Sequence, residues 1–241
     1  MPFEAVPDLW DRLFSAQPDP PPLLVALTGV AALVVVLTRL PWRVSRNVIT
    51  IAHEGGHALA AVATGRRLHG IRLHADTSGL TLSAGRPSGP GMVLTLFTGY
   101  VAPSLIGLAG AWILGGNRIT LLLWVAVLLL AAMLVMIRNL YGALAVVLTM
   151  AVLVGLSIYA EPRLQAAFAY AGVWFLLIGG VRPVGELQRL RSRGRLPDSD
   201  ADQLARITHL PGLFWVGVFG LVNLAALVTG ALLLVGAYLP N

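Results

Sequence analysis

The sequence predicts an all-α membrane protein, a polytopic helical bundle of about six to seven spans with a short β-hairpin after the helix that carries its most chemical motif. Three observations lead there. Of the 241 residues, 57% are hydrophobic and only 12% are charged. Several apolar runs approach or exceed the roughly 20 residues that cross a bilayer. Between the second and third runs the apolar period falls from helical to two, on both sides of a polar turn.

Taken in order, residues 1–22 are net acidic, with Glu4, Asp8, Asp11 and Asp19 against Arg12, and end in Pro20-Pro21-Pro22. A cleaved signal would have a basic start and a small-residue cleavage site, so none is expected in this stretch. Phe3, Val6, Trp10, Leu13 and Phe14 suit one side of a short interfacial helix. Residues 23–241 read as a single membrane-embedded domain. Its expected spans are 23–40, 48–64, 91–114, 119–137, 140–159, 164–181 and 211–238. Trp42, just after the first span, reads as an interface anchor. In the second span Asn47, Thr50, His53, Glu54 and His57 fall near one face, while Ala52, Ala58, Ala60 and Ala61 permit close packing; such a helix faces protein rather than lipid.

The hairpin is expected within 68–86. Ile71, Leu73 and Ala75 alternate with Arg72 and His74; beyond Asp76-Thr77-Ser78-Gly79, Leu80, Leu82 and Ala84 alternate with Thr81 and Ser83. A lone hairpin is marginal in water, so it should dock on the membrane domain. Residues 182–210 form a basic connection, read as a loop, with six arginines and with Asp198, Asp200 and Asp202. All seventeen basic residues are arginine. Counted over alternate connections they divide twelve to five, which puts the N-terminus, the hairpin and the 182–210 loop in the cytoplasm. The net charge of +6 is then loop charge; no basic–aromatic block indicates nucleic acid. With no cysteine, thiolate catalysis and cysteine-based zinc sites are excluded.

The motif is His53-Glu54-Gly55-Gly56-His57. Helical positions four apart share a face, so both imidazoles can bind one Zn²⁺, and the glutamate can take a proton from the attacking water. Shuffled chains of this composition produce the pattern in roughly 0.1% of cases, so chance is a poor explanation. Ionisable groups inside a span are costly and mark function by default. A catalytic zinc needs a third protein ligand, which must come from elsewhere in the chain.

With its motif helix, following hairpin and Thr98-Gly99-Tyr100-Val101-Ala102-Pro103-Ser104 segment, the chain resembles the site-2 protease family of intramembrane zinc metalloproteases. The resemblance implies Zn²⁺ held by His53, His57 and a distant aspartate, with Glu54 as general base. Leu196-Pro197-Asp198-Ser199-Asp200-Ala201 best matches the aspartate segment and favours Asp200. Asp198 and Asp202 stay open as alternatives. Ser199 followed by Asp202 also reads as a helix cap. The family's hairpin holds substrate as an added strand, which gives Thr81 and Leu82 a substrate-binding role. Asn139, beside Arg138, is either a substrate or supporting contact or part of a tight turn at the membrane surface.

The resemblance thus implies an endopeptidase of the cell membrane that cleaves transmembrane segments of protein or peptide substrates, surrounded by lipid and without nucleic acid. A catalytically silent scaffold, or a metal transporter or sensor, is the alternative. A transporter would carry acidic or His residues along several helices, and the later spans have almost none.

Overall fold

The computed structural model describes residue 11, residues 13–194 and residues 198–236. Among these the elements run α1 (Pro22–Leu37), α2 (Arg39–Ala63), β1 (Arg67–Leu73), β2 (Gly79–Ala84), α3 (Pro90–Gly115), α4 (Ile119–Met136), α5 (Leu140–Tyr159), α6 (Pro162–Ser192), α7 (Asp200–Thr208) and α8 (Gly212–Val235). Five helices are each long and apolar enough to cross a membrane, and α1 with α2 adds a sixth if that pair counts as one span. Of the expected interfacial helix, Leu13 and Phe14 are described and helical, whereas Phe3, Val6 and Trp10 lie outside the described residues, as do Leu196 and Pro197.

The first two expected spans are one bent pair. Thr38 is extended (φ −87°, ψ 143°) and separates helices that turn by 101°. Pro41 accounts for the break. It has no N–H for a continuous helix, but the first turn of α2 does not need one. Arg182 then fixes the corner, donating to the Val36 carbonyl, pairing with Glu186 at 2.9 Å and lying over the Trp42 ring at 4.6 Å. Trp42 is therefore not an interface anchor. It is buried against Phe175 and Gly179, because the bend folds it under α6.

The two ends of the bundle differ. Ser15–Pro21 lies at the end holding Asn117 and Arg163: the Gln17 N–H donates to the Asn117 carbonyl at 2.9 Å, and a 410 Å³ groove is lined by Pro21, Leu24 and Arg163. The hairpin, the α4–α5 connection and α7 lie at the other end. Arg46 joins them there, pairing with Glu186 at 3.3 Å. This corrects the arginine topology. The segment leading into α1 and the hairpin occupy opposite ends of the bundle, since α1 runs from beside Arg163 to Val36 at Arg182 and α2 turns off there by 101°. The basic 182–210 stretch also differs from a loop. Its first third, through Ser192, continues α6, with Pro183 inside the helix.

The hairpin forms as its period predicts, antiparallel with Ile71 opposite Thr81 and Leu73 opposite Gly79. At its turn the Asp76 carboxylate accepts from the Ser78 N–H at 3.0 Å, a local bond that lets a short turn reverse the chain. A bulge between Leu68 and Gly70 leaves Gly70 at φ 155°, pressed against the Arg138 side chain. The outer edge of β1 is closed by Ile137–Asn139. Ile71 bridges Ile137, and the Arg138 N–H donates to the Ile71 carbonyl at 2.9 Å. Ile71, Leu73, Met133, Ile137 and Val146 form the apolar cluster under the hairpin. A second cluster, with Leu96, Leu187, Leu204 and Phe219, seats α7 against α3, α6 and α8. The motif face of α2 lies between the two.

Candidate metal centre

On α2, His53 and His57 share a face, and their Nε2 atoms stand 3.0 Å apart. Asp200, the first residue of α7, brings its Oδ2 to 3.5 Å from the His53 Nε2 and 3.3 Å from the His57 Nε2. Two ring nitrogens and a carboxylate oxygen so close together repel one another unless they share a cation. Ligands at the corners of a tetrahedron with bonds of about 2.0–2.1 Å stand about 3.3 Å apart, so this triangle fits Zn²⁺ with one corner left for water or substrate. The three ligand atoms all lie within 4.8 Å of one another and could hold one metal ion.

The surroundings aim these atoms. The His57 Nδ1 faces the Thr95 carbonyl at 2.6 Å, so an N–H there leaves the Nε2 lone pair pointing at the cluster. Space for the rings comes from Gly99, where a methyl group would run into both imidazoles. Gly56 does the same for the helices, since a methyl there would strike Ala102 and the Thr98 carbonyl.

Glu54 is 4% exposed and reaches toward β2. Its Oε2 accepts from the Thr81 hydroxyl at 2.6 Å, and its carboxylate lies against Gly79, where a methyl would overlap it. Thr50 ties the hairpin turn to the same helix, donating to the Thr77 carbonyl at 2.8 Å. The hairpin therefore forms one wall beside the motif.

The other residues named from sequence separate clearly. Asp202 has one carboxylate oxygen bound to the Arg191 guanidinium, with Nε at 2.9 Å, and the other to the Ser199 hydroxyl. Those hydrogen bonds, Arg191's first, lower its pKa. Ser199 accepts from the Asp202 N–H at 3.3 Å and caps α7. Asp198 is exposed and pairs with Arg206 at 3.0 Å. Neither reaches the imidazoles. Thr81 touches Glu54, whereas Leu82 is exposed on the opposite face of β2. Asn139 lies away from the metal cluster and clamps β1, accepting from the Leu73 N–H at 3.1 Å and donating to its carbonyl at 2.7 Å. The Thr95 carbonyl and Gly99 escaped the sequence reading of the site. Gly99 stood in the quoted segment, but only the ring contact gives it a reason.

The model of the Peptidase M50B-like family matches residues 26–230, which spans α2, the hairpin, α7 and nearly all of the bundle. Searches among curated proteins and among solved structures returned no match. A match of this extent over a helical membrane bundle, together with the His–His–Asp cluster, identifies the chain as a member of the Peptidase M50B-like family, the site-2 protease family of membrane metallopeptidases.

Proposed function

We propose that this protein is a zinc endopeptidase that hydrolyses peptide bonds within transmembrane segments of other membrane proteins, near the hairpin end of the bundle, and that this end faces the cytoplasm. The observation that carries the reading is the convergence of His53, His57 and Asp200 beside a buried glutamate that a threonine hydroxyl holds in place. In this reading His53, His57 and Asp200 hold the metal. Bound Zn²⁺ would acidify water and polarise the scissile carbonyl. Glu54 takes the water's proton and returns it to the departing amine nitrogen, so one water is consumed for each C–N bond broken. Thr81, by its bond to Oε2, keeps Glu54 oriented between these two transfers.

The hairpin supports the substrate class. A carbonyl inside a helix is hydrogen-bonded and hidden, so a transmembrane substrate must unwind to be attacked. β1 is covered on its far side by Ile137–Asn139, whereas β2 makes backbone hydrogen bonds with β1 alone among the described residues. An unwound segment added along the free edge of β2 would pass beside Glu54, gaining backbone hydrogen bonds in place of those it lost. Leu80 and Leu82 on the outer face would meet its side chains. The cytoplasmic side is supported by the arginines. Arg39, Arg43 and Arg46 belong with the hairpin end, which leaves Arg118 and Arg163 as the described arginines at the other.

The test is zinc content and cleavage of a model transmembrane peptide by purified protein and its Glu54→Gln variant. Both should hold about one zinc per chain. Cleavage should fall by about 10²–10⁴-fold in the variant alone. Equal cleavage by the two proteins would refute the reading, and zinc binding without cleavage by either would favour a silent scaffold.

A further inference from the structure

Tyr100 follows Gly99 on α3 and lies against the metal cluster. Its ring meets the His53 ring edge to face at 4.8 Å between centroids and stacks on Phe219 of α8 at 5.1 Å. Its carbonyl is pinned by Asn223, whose Nδ2 donates at 3.1 Å from a fully buried position. The aromatic ring is thus held by three helices. A phenylalanine would make every one of these ring contacts.

The hydroxyl needs a separate explanation. It has no hydrogen-bond partner among the described residues. Four unpartnered side-chain atoms, on Trp42, Ser104, Trp174 and Asn223, are sealed from any ligand, and the Tyr100 hydroxyl is not one of them. It therefore keeps some exposed surface. The ring's contact with His53, whose Nε2 lies 3.5 Å from the Asp200 Oδ2, sets the phenol beside the ligand cluster.

We propose that Tyr100 is a catalytic residue whose O–H donates a hydrogen bond to the oxyanion that forms when water attacks the scissile carbonyl. This rests on the protease reading and deepens it. As the water oxygen bonds to the carbonyl carbon, the C=O π pair moves onto the carbonyl oxygen, and that oxygen accepts from Tyr100. Glu54, on the hairpin side, holds the water's proton. When the C–N bond breaks, the π pair returns, the proton goes to nitrogen, and the phenol keeps its own proton throughout. A preformed donor aimed at charge that exists only in the transition state raises kcat more than it tightens substrate binding.

Tyr100→Phe decides it, since the ring and its packing stay. With wild-type cleavage established first, the variant should keep full zinc, show kcat lowered by about 10²–10³-fold with KM changed less than about threefold, and bind a phosphinate peptide analogue of the tetrahedral state correspondingly more weakly. A variant kcat within about threefold of wild type would overturn the assignment. So would loss of zinc, because Tyr100 would then serve only to support His53. Wild-type protein that binds zinc and cleaves nothing would remove the protease reading itself. Cleavage indifferent to Tyr100→Phe removes this assignment alone.

Discussion

Two aspartates on one turn of α7 face opposite duties. Asp200 directs Oδ2 at both motif imidazoles, while Asp202 has both carboxylate oxygens engaged by Arg191 and Ser199. Asp200→Asn should abolish cleavage and strip most of the zinc, because an amide oxygen is a poor replacement for a charged ligand. Asp202→Asn should leave zinc content and cleavage near wild type and cost about 1–2 kcal/mol of stability through the cap and the Arg191 bond. Zinc analysis, peptide cleavage and thermal melts on both variants check this, and a reversed pattern would move the ligand to Asp202. The glycines offer a second contrast. Gly99→Ala puts a methyl into the rings of His53 and His57, whereas Gly55→Ala meets nothing within 4 Å. Gly99→Ala should therefore lose metal and activity. Gly55→Ala should keep both and gain up to about 1 kcal/mol in helix propensity. Loss of zinc from both variants would show that ring clearance is not what Gly99 provides.

Among the elements, the hairpin is the part that couples the motif helix to the rest of the molecule. It is held by Thr50 and Thr81 on the α2 side and by Asn139 on the far edge of β1. Asn139→Ala removes two bonds to the Leu73 backbone, so it should loosen the hairpin by about 1–3 kcal/mol and raise KM for a transmembrane peptide while zinc stays bound. Faster amide exchange across 67–84 would report the loosening; unchanged exchange and kinetics would mean that Ile137 and Arg138 hold the edge without Asn139. The hairpin was legible because alternation of Ile71, Leu73, Leu80 and Leu82 with polar residues survives any tertiary context. The strand-like Ile137–Asn139 was not, since three residues between two apolar runs carry no period. The start of α2 was missed for a related reason. Arg39, Arg43 and Arg46 are polar, so an apolar run first registers near residue 48, yet the backbone is helical from Arg39. His53 and His57 showed themselves through spacing within one helix. Asp200 needed the resemblance, because the contact of α7 with α2 is a long-range fact.

At the scale of the whole bundle, hydropathy measures composition and is blind to direction. It counts 23–40 and 48–64 as two crossings, but the 101° turn at Thr38 brings Arg46 to Glu186 at the hairpin end. Alternate-connection arithmetic then assigns Arg39, Arg43 and Arg46 to the wrong end. With the bend included, the charge asymmetry sharpens, and the segment before α1 falls on the side of Arg118 and Arg163. This yields a prediction that needs no activity. The chain has no cysteine, so single cysteines report position cleanly. Ser192→Cys, at the exposed end of α6, and Ser15→Cys, before α1, should lie on opposite faces of the membrane. In intact cells a membrane-impermeant maleimide should label Ser15→Cys and spare Ser192→Cys until the membrane is opened. The Ser192 hydroxyl bonds only the Arg189 carbonyl and the Ser15 N–H only the Asp11 carbonyl among the described residues, so zinc content should not change in either variant. Labelling of both from outside, or of neither, would show that the chain before α1 and the hairpin share a face, and the single crossing by α1 would be wrong. The reverse pattern would keep the architecture and turn the proposed cleavage site to the exterior, against the arginine distribution.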